Sequence, residues 1–491
     1  MENSKICIIG AGIGGLSTAI RLASNGHQVT VFEANNYPGG KLTEIQVDGF
    51  RFDAGPSLFT MPSYIEELFS LAKKDISDYF EYEKLEVICH YFWEDGTRLK
   101  AFSASESFAN EVEKKLEIPA KEIKDILAAS AEKYRLTGKT FLEKSLHLSS
   151  TWLSKEVARS LIKLPMLTKA VFQTMHTDNE KRLSHPKLVQ LFDRFATYNG
   201  SNPYKAPGML NIIPHFEHNI GAFFPKGGMH QITLALYQLA KDLGVNFHFN
   251  QTVEKINVKN KRATGVLING QLESFDKVVS NMDVFPTYNK LLPDQSQPHR
   301  TLAQPRSTSA LIFYWGIKRE FKELGLHNIL FSNNYQKEFN TLDGNRIDSD
   351  PTIYINISKK FVKTDAPKGC ENWFTMINVP ANTGQNWDQM IAKARKDIIE
   401  KINRTLQVDI KDLIVCESIL DPRSIESKTS SHQGALYGTN SNNIFAAFLR
   451  HPNFTRKIKD LYFCGGSVHP GGGIPLCLLS GKLVSELIQR S

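Results

Sequence analysis

Three glycines at a fixed spacing, Gly10, Gly12 and Gly15, are the residues of this sequence whose arrangement most directly implies chemistry. They follow Lys5–Ile9, a short and largely β-branched run that predicts a strand buried in a parallel sheet. In such a turn the first glycine permits the bend, the second lets the backbone approach a pyrophosphate, and the third allows close helix packing. The predicted contacts with a bound dinucleotide are Gly10, Gly12, Ile13, Gly14 and Gly15.

An acidic residue completes this pattern. Gln28–Phe32 predicts a second strand, and Glu33 follows it about 20 residues after the first glycine, where a carboxylate can accept hydrogen bonds from an adenosine ribose. Ala34, the next residue, is predicted to share that contact, and the carboxylate disfavours NADP because it would repel a 2′-phosphate. A glycine-rich turn in an unrelated α/β domain is the alternative, but the order of strand, turn, helix, strand and acid favours a nucleotide site.

Two loops downstream have residue types that suit the same ligand. Residues 38–41 read Pro-Gly-Gly-Lys, in which Gly40 allows a backbone turn and Lys41 would bring a positive charge near bound phosphates. Gly55 and Pro56, followed by Ser57, predict a bend with little side-chain bulk, suited to backbone lying against a planar ring. Either loop taken alone is compatible with an ordinary turn between secondary-structure elements.

A second glycine-rich stretch lies near the end of the sequence. Residues 461–476 predict a strand, a glycine turn and the start of a helix, with the helix itself expected over 478–488 and its N-terminus near Ile474. Glycines in this turn free backbone N–H groups to face phosphate oxygens, and the helix dipole adds positive potential. His469 is the weak catalytic candidate, for which support of the turn is the favoured role. The predicted contacts are Gly466, Ser467, Gly473, Ile474 and Leu476.

Together these motifs resemble those of bacterial carotenoid desaturases, a family related to phytoene desaturase within the amine-oxidase-like flavoproteins. The C-terminal run is most similar to the hydroxycarotenoid 3,4-desaturase branch. The resemblance extends to a central block with Phe-Pro-x-Gly-Gly before Val253 and Asn281. It implies FAD as the cofactor, with the backbone of Val253 at the adenine and Asn281 at the same site. The family usually carries arginine where this chain has Lys41.

The resemblance and the order of elements imply an α/β fold. We expect a Rossmann-type FAD-binding domain of the amine-oxidase-like kind, a mixed α+β substrate domain, and a helical lid or membrane-associated insertion. The expected divisions are 1–75, 225–285 and 421–491 for the FAD-binding domain, 76–100, 206–224 and 286–420 for the substrate domain, and 101–205 for the insertion.

One segment of the insertion has a basic face. On a helix over 151–164, Lys155, Arg159 and Lys163 would share one side, with leucines and a valine opposite. Such a helix can lie in a membrane interface or pack on an ordinary core, and the residues alone leave both open. The resemblance favours the membrane, where the helix would form a lid and an entrance for lipid.

Composition narrows the classes of partner. The chain has 491 residues, of which 41% are hydrophobic, and no apolar run long enough to predict a transmembrane helix. The first strand begins too early for a cleaved signal peptide, so a cytoplasmic protein peripherally bound to the inner face of the membrane is expected. A net charge of +8 without a basic tract does not suggest nucleic acid, and the six cysteines show no metal-like spacing, so no metal is expected.

The leading functional hypothesis is an FAD-dependent carotenoid desaturase that removes two hydrogens from adjacent carbons, most specifically at C-3,4 of a 1-hydroxycarotenoid. Phytoene desaturation is the alternative within the class. A flavin-dependent carotenoid isomerase, and an amine or porphyrinogen oxidase on the same fold, are the alternatives outside it. The sequence contains no recognisable acid–base constellation, and either a membrane quinone or oxygen is compatible as the electron acceptor.

Overall fold

The computed structural model describes residues 3–153, 172–443, 446 and 449–490. Its strands in chain order are β1 (Lys5–Ile9), β2 (Gln28–Phe32), β3 (Glu44–Val47), β4 (Phe50–Asp53), β5 (Phe59–Thr60), β6 (Tyr82–Lys84), β7 (Val87–Phe92), β8 (Arg98–Phe102), β9 (Ala222–Pro225), β10 (Asn246–His248), β11 (Val253–Lys259), β12 (Arg262–Ile268), β13 (Gln271–Ser274), β14 (Lys277–Ser280), β15 (Ser309–Ile317), β16 (His327–Leu330), β17 (Ile353–Asn356), β18 (Glu371–Val379), β19 (Ile414–Leu420) and β20 (Leu461–Phe463).

The α-helices of the described residues lie between these strands and after the last of them. They are Ile13–Ser24, Ser63–Leu71, Ser105–Leu116, Ala120–Phe141, Ser149–Trp152, Met175–Glu180, Pro186–Asp193, Ile213–His215, His230–Asp242, Val284–Pro286, His299–Leu302, Tyr335–Asp343, Trp387–Leu406, Pro422–Thr429 and Ile474–Gln489.

A five-stranded parallel sheet in the order β10-β2-β1-β14-β20 carries the nucleotide motifs. It joins strands from the beginning, the middle and the end of the chain. The helices Ile13–Ser24 and Ile474–Gln489 cross closely, since a Cβ added to Gly481 would lie 2.7 Å from Ser17 Oγ. The Rossmann-type arrangement predicted from the glycine turn is therefore confirmed, with β1 and β2 at the predicted bounds.

A small antiparallel sheet, β11-β12-β13, lies beside the parallel one. Its second hairpin turns at Asn269 and Gly270, whose φ angles of 50° and 72° are both positive, as a type I′ turn requires.

A seven-stranded sheet in the order β19-β15-β18-β17-β16-β7-β8 forms the second large layer. Successive residues of a strand point to opposite faces, so β15 presents two different surfaces. Phe313 and Trp315 are buried in one hydrophobic core together with Trp373. Ile312 and Tyr314 point the other way and line a large cavity, described below.

The insertion contains two charged helices, at Ser105–Leu116 and Ala120–Phe141. The predicted amphipathic segment with Lys155, Arg159 and Lys163 lies outside the described residues. Among the helices that the structure describes, none combines the length and apolar character needed to span a bilayer. The division into three domains stays a prediction.

The C-terminal helix begins at Ile474, where the sequence predicted its N-terminus, so the range 478–488 covered only its later part. Pro475 occupies its first turn, where a proline costs nothing because that backbone N–H has no intrahelical partner.

A histidine–carboxylate pair in the insertion gives the fold a pH dependence. His176 Nδ1 lies 2.6 Å from Asp193 Oδ2, and this hydrogen bond raises the pKa of His176 above its ordinary value. Burial also raises the pKa of Asp193, a shift that acts at lower pH. The charged His176 therefore stabilises the fold fully below about pH 6.5, the pKa of histidine in the unfolded chain. This stabilisation is lost as the pH rises through the pKa of His176 in the folded protein.

The His176→Asn variant measures this contribution directly. Its melting temperature should fall below that of the wild type at pH 6, and the gap should narrow as the pH is raised to 9. A gap that stays constant or widens over this range would contradict the assignment of the charged imidazole to this pair.

Candidate functional site

One cavity of about 1190 Å³ gathers the predicted site residues from all three parts of the chain. Its volume exceeds the range of about 300–1,000 Å³ typical of sites for one small ligand. The predicted residues that line it are Gly10, Gly12, Ile13, Gly14, Glu33, Ala34, Gly40, Lys41, Gly55, Pro56, Ser57, Val253, Asn281, Gly466, Ser467, His469, Gly473, Ile474 and Leu476.

Gly15 does not line this cavity, and its prediction as a cofactor contact needs correction. A Cβ at Gly15 would overlap the carbonyl oxygen of Gly10, so the residue serves the close packing of helix on strand. Gly14 faces the cavity instead, and a Cβ there would lie 2.9 Å from the backbone of Gly465. The first turn and the C-terminal turn thus touch through their main chains.

Glu33 lies at the end of β2, where its carboxylate organises the surrounding turn. Oε2 accepts a hydrogen bond of 2.7 Å from the backbone N–H of Ala11, and Oε1 accepts from the backbone and side chain of Asn35. Each carboxylate oxygen has capacity for more than one hydrogen bond. A buried carboxylate at the cavity edge is therefore available for ribose hydroxyls, and the predicted ribose contact stays a prediction.

The side chain of Lys41 has a different role from the predicted one. Its Nζ donates to the backbone oxygens of Ala435 and Leu436, at 3.1 and 2.9 Å. Burial lowers its pKa. The ammonium group thus ties the Pro-Gly-Gly-Lys turn to the segment 435–436, rather than pointing to phosphates, because these carbonyls satisfy two of its three donors.

The Lys41→Met variant distinguishes these roles. Losing hydrogen bonds to two buried carbonyls should lower the free energy of unfolding by about 1–3 kcal/mol. Because the lost ammonium group does not contact a phosphate, the FAD affinity of the variant should depend on ionic strength as it does in the wild type. A weaker salt dependence of FAD binding in the variant, measured by flavin fluorescence titration, would restore the phosphate role.

Gly55 and Ser57 shape the next part of the wall. A Cβ at Gly55 would overlap the carbonyl oxygen of Lys41, so this backbone packs too tightly for any side chain. Ser57 Oγ lies 2.6 Å from the hydroxyl of Tyr354 on β17. The Gly-Pro-Ser bend therefore joins the nucleotide-binding side of the cavity to the seven-stranded sheet.

Val253 and Asn281 enter the cavity from the central block. Val253 begins β11, and Asn281 follows β14 with its side-chain amide donating to the Gly10 carbonyl at 3.3 Å. Asn281 thereby braces the glycine turn. The structure brings both residues to the cavity, and the adenine contact of the Val253 backbone stays a prediction.

The C-terminal glycine turn leaves room that side chains would otherwise take. A Cβ at Gly473 would meet no atom within 4 Å, although the residue lines the cavity, and one at Gly40 would meet only Gly12 at 3.6 Å. These two glycines form a backbone cradle that a planar or phosphate-bearing ligand can approach closely. Ser467 also lines the cavity, and its Oγ accepts from the backbone N–H of Val284 at 3.0 Å.

His469 supports the turn, which is the role the sequence favoured. Its Nε2 pairs with the carbonyl oxygen of Lys144 at 2.9 Å and must donate, since a carbonyl only accepts. Burial lowers the pKa of His469 to about 4, so the ring is neutral at physiological pH. The residue links the C-terminal turn to the insertion, and nothing in its geometry adds a catalytic role.

Sequence reasoning missed several polar groups on the cavity wall. Arg450 is buried and donates to the Tyr437 carbonyl at 2.6 Å, and no carboxylate pairs with it among the residues that the structure describes. Burial lowers its pKa to about 10, which keeps the guanidinium charged at neutral pH. Neither Arg450 nor the similarly placed Arg194 and His327 lies in a motif, so no sequence signal identified them.

Apolar side chains of the second sheet form the opposite wall. Three aromatic residues, Tyr314, Tyr354 and Phe374, line the cavity with Met376 and Ile312. The alternation of side chains along β15, β17 and β18 decides which aromatics face the cavity, and this could not be read before the strand faces were assigned.

Comparison with known proteins agrees with this geometry. A model of the family described as flavin containing amine oxidoreductase matches residues 13–489. An oxidoreductase structure from Methanosarcina mazei shares the fold, with a TM-score of 0.64 over 98% of this chain and all of the other at 16% identity. The chain belongs to the flavin-containing amine oxidoreductase family and is an oxidoreductase.

Two relatives show to which branch of that family the chain is most similar. A 1-hydroxycarotenoid 3,4-desaturase from Flavobacterium is 51% identical over 99% of both chains. A 4,4′-diapolycopene oxygenase from Methylomonas is 33% identical over 99% of this chain and 98% of its own. The predicted membership of the carotenoid desaturases is therefore confirmed.

The residues present fit the flavin that the family implies. The buried Glu33 carboxylate, the backbone cradle at Gly40 and Gly473, and the helix beginning at Ile13 without a side-chain cap provide complementary surfaces for ribose, ring and pyrophosphate. FAD is the cofactor, as predicted.

Proposed function

We propose that this flavoprotein is a carotenoid desaturase that introduces the C-3,4 double bond of a 1-hydroxycarotenoid. The observation that carries the proposal is the 51% identity, over nearly the whole of both chains, to a protein of that name. The cavity supports it, since the nucleotide cradle and the aromatic wall of the second sheet enclose one continuous space.

The reaction removes a hydrogen from each of two neighbouring carbons and leaves a double bond between them. FAD, when bound, supplies a two-electron acceptor. The residues of this chain hold and align the polyene: Tyr314 and Phe374 present apolar faces, and the bend at Gly55 keeps side chains away from the ring side. The walls also exclude water from the reacting carbons.

Product analysis tests the proposal. The chain should be expressed in bacteria that already make a 1-hydroxycarotenoid, and in matched strains that make phytoene or no carotenoid. The expected product is two hydrogens lighter than the hydroxylated precursor and has a longer chromophore. An isomer of unchanged mass, or conversion of phytoene alone, would overturn it in favour of the isomerase or the phytoene desaturase.

We also propose that the protein collects its substrate at the inner face of the cell membrane and passes electrons to a quinone or to oxygen. Trp152, Leu153 and Phe172 flank the segment 154–171 and expose large apolar surfaces, with Leu153 84% exposed. Such side chains can insert at a bilayer interface.

A flotation assay with vesicles containing anionic phospholipid tests the membrane contact. The triple variant W152A/L153A/F172A should bind about tenfold or more weakly, because each side chain loses apolar contact with lipid. Leu272→Ala removes an exposed apolar side chain from β13 and is the matched control. Equal flotation of all three proteins would contradict the proposal.

A further inference from the structure

A cluster of polar side chains interrupts the apolar wall of the cavity. Arg194 and Tyr198 belong to the insertion, and Glu217 lies between the insertion and β9. His327 and Tyr354 come from the neighbouring strands β16 and β17. All five line the same cavity as the glycine turn. A surface that held only hydrocarbon would leave such groups without partners, so the cluster requires an explanation.

His327 presents an unused hydrogen-bond donor. The Asn356 side-chain amide donates to the Leu326 carbonyl at 3.2 Å and lies 3.1 Å from His327 Nδ1. An amide N–H only donates, so Nδ1 is the acceptor and the proton of the neutral ring sits on Nε2. Burial lowers the pKa of His327 to about 3, which keeps the ring neutral. Nε2 is buried and has no hydrogen-bond partner among the residues that the structure describes.

Glu217 presents an unused acceptor. Its side chain is almost wholly buried, and Oε1 accepts a hydrogen bond from the hydroxyl of Tyr198. Oε2 lies 3.9 Å from Arg194 Nη2, which is beyond hydrogen-bonding distance, and it too is unpartnered within the described part of the chain. The guanidinium offsets part of the cost of the buried charge while leaving this oxygen available.

A hydroxyl is the smallest group that both donates and accepts, so it offers an acceptor to His327 Nε2 and a donor to Glu217 Oε2. The tyrosine that pairs with His327 Nδ1 at 2.7 Å also pairs with Ser57, so the cluster is connected to the Gly-Pro-Ser bend. In a 1-hydroxycarotenoid the hydroxyl carbon is separated from C-3 by a single carbon. A group that binds the hydroxyl near this bend therefore also fixes the carbons that lose hydrogen.

We propose that His327 and Glu217 form a binding site for the terminal hydroxyl of the polyene, in which the imidazole N–H donates to the hydroxyl oxygen and the carboxylate accepts a hydrogen bond from the O–H. The site deepens the proposed desaturase function and rests on it. The apolar wall would bind any long polyene, whereas this pair selects the hydroxylated end and sets the position of the new double bond.

Steady-state kinetics of the purified holoenzyme test the inference with a 1-hydroxycarotenoid and with the same carotenoid lacking the hydroxyl. His327→Leu should lower kcat/KM for the hydroxylated substrate about 10- to 100-fold, because the substrate hydroxyl loses the N–H group that donates to its oxygen. The value for the other substrate should change by less than about threefold, since it never made the contact. His327→Gln keeps an N–H donor and should recover much of the preference.

His90→Leu is the matched control, since His90 lies on the adjacent strand β7 and outside the residues that line the cavity. It should leave the ratio of the two kcat/KM values unchanged. If His327→Leu does not retain flavin, Glu217→Leu, which removes the acceptor, is measured by the same criterion and should also lose selectivity.

The outcomes separate the two proposals. A wild-type enzyme that converts neither carotenoid would refute the desaturase function itself. An active enzyme whose flavin-bearing His327 and Glu217 variants keep the wild-type ratio would overturn the hydroxyl site alone.

Discussion

Replacement of Gly14 by alanine is expected to weaken FAD binding by about 10- to 100-fold, so that the protein purifies with little colour. An added Cβ would lie 2.7 Å from Asn281 Oδ1 and 2.9 Å from the N and Cα atoms of Gly465. Two of these neighbours are main-chain atoms that cannot rotate away, and overpacking of this kind costs about 1–3 kcal/mol. That energy corresponds to about one to two decades of affinity.

The measurement is the FAD content after purification, followed by the dissociation constant from fluorescence titration of apoprotein. Gly344→Ala is the matched control, because its Cβ would make only ordinary contacts, the nearest at 3.4 Å. If Gly14→Ala bound FAD as tightly as this control, the meeting of the two glycine turns would not be part of the cofactor site.

Replacement of Arg194 by methionine is expected to lower the free energy of unfolding by about 3–5 kcal/mol, the cost of leaving a buried acid without its counter-ion. The guanidinium is 3.9 Å from Glu217, donates to the Tyr91 hydroxyl at 3.0 Å and lies over the rings of Phe195 and Tyr198. Burial raises the pKa of Glu217, and Arg194 opposes that rise. Removing the arginine therefore destabilises the ionised carboxylate as well as the packing.

Urea unfolding of the holoenzyme measures this loss. Arg135→Met removes an exposed guanidinium that pairs with Glu132, and it should leave the free energy of unfolding close to that of the wild type. The double variant R194M/E217Q should regain part of the stability, because the amide carries no charge to bury. Equal stability of Arg194→Met and the wild type would show that the buried pair contributes nothing to the fold.

The nucleotide-binding half of the protein could be predicted closely because its sequence signals are local. The turn at Gly10 requires a positive φ angle of 96°, which favours glycine, and Glu33 follows it at the spacing expected of a dinucleotide-binding unit. The bounds of β1 and β2 followed directly from such signals.

The roles of individual side chains were less predictable, because they depend on neighbours far away in the chain. Lys41 was placed at the phosphates, but carbonyls nearly 400 residues later bind its ammonium group. Gly15 was counted among the cofactor contacts, whereas its closest neighbour is the backbone of Gly10.

The substrate side carried the weakest sequence signal. Aromatic residues on β15 and β18 alternate between a core and the cavity, and only the orientation of the sheet decides which side faces the polyene. His327 and Glu217 come from separate elements and have no motif, so their convergence could be seen only in the fold.

The central claim is that three distant parts of the chain hold one FAD beside a cavity in which a hydroxylated polyene is desaturated. Anaerobic titration of the purified holoenzyme with a 1-hydroxycarotenoid tests it most directly. The visible absorption of oxidised flavin should disappear in step with a product two hydrogens lighter, one molecule for each flavin reduced. Flavin that stays oxidised while the carotenoid is recovered unchanged would contradict the claim.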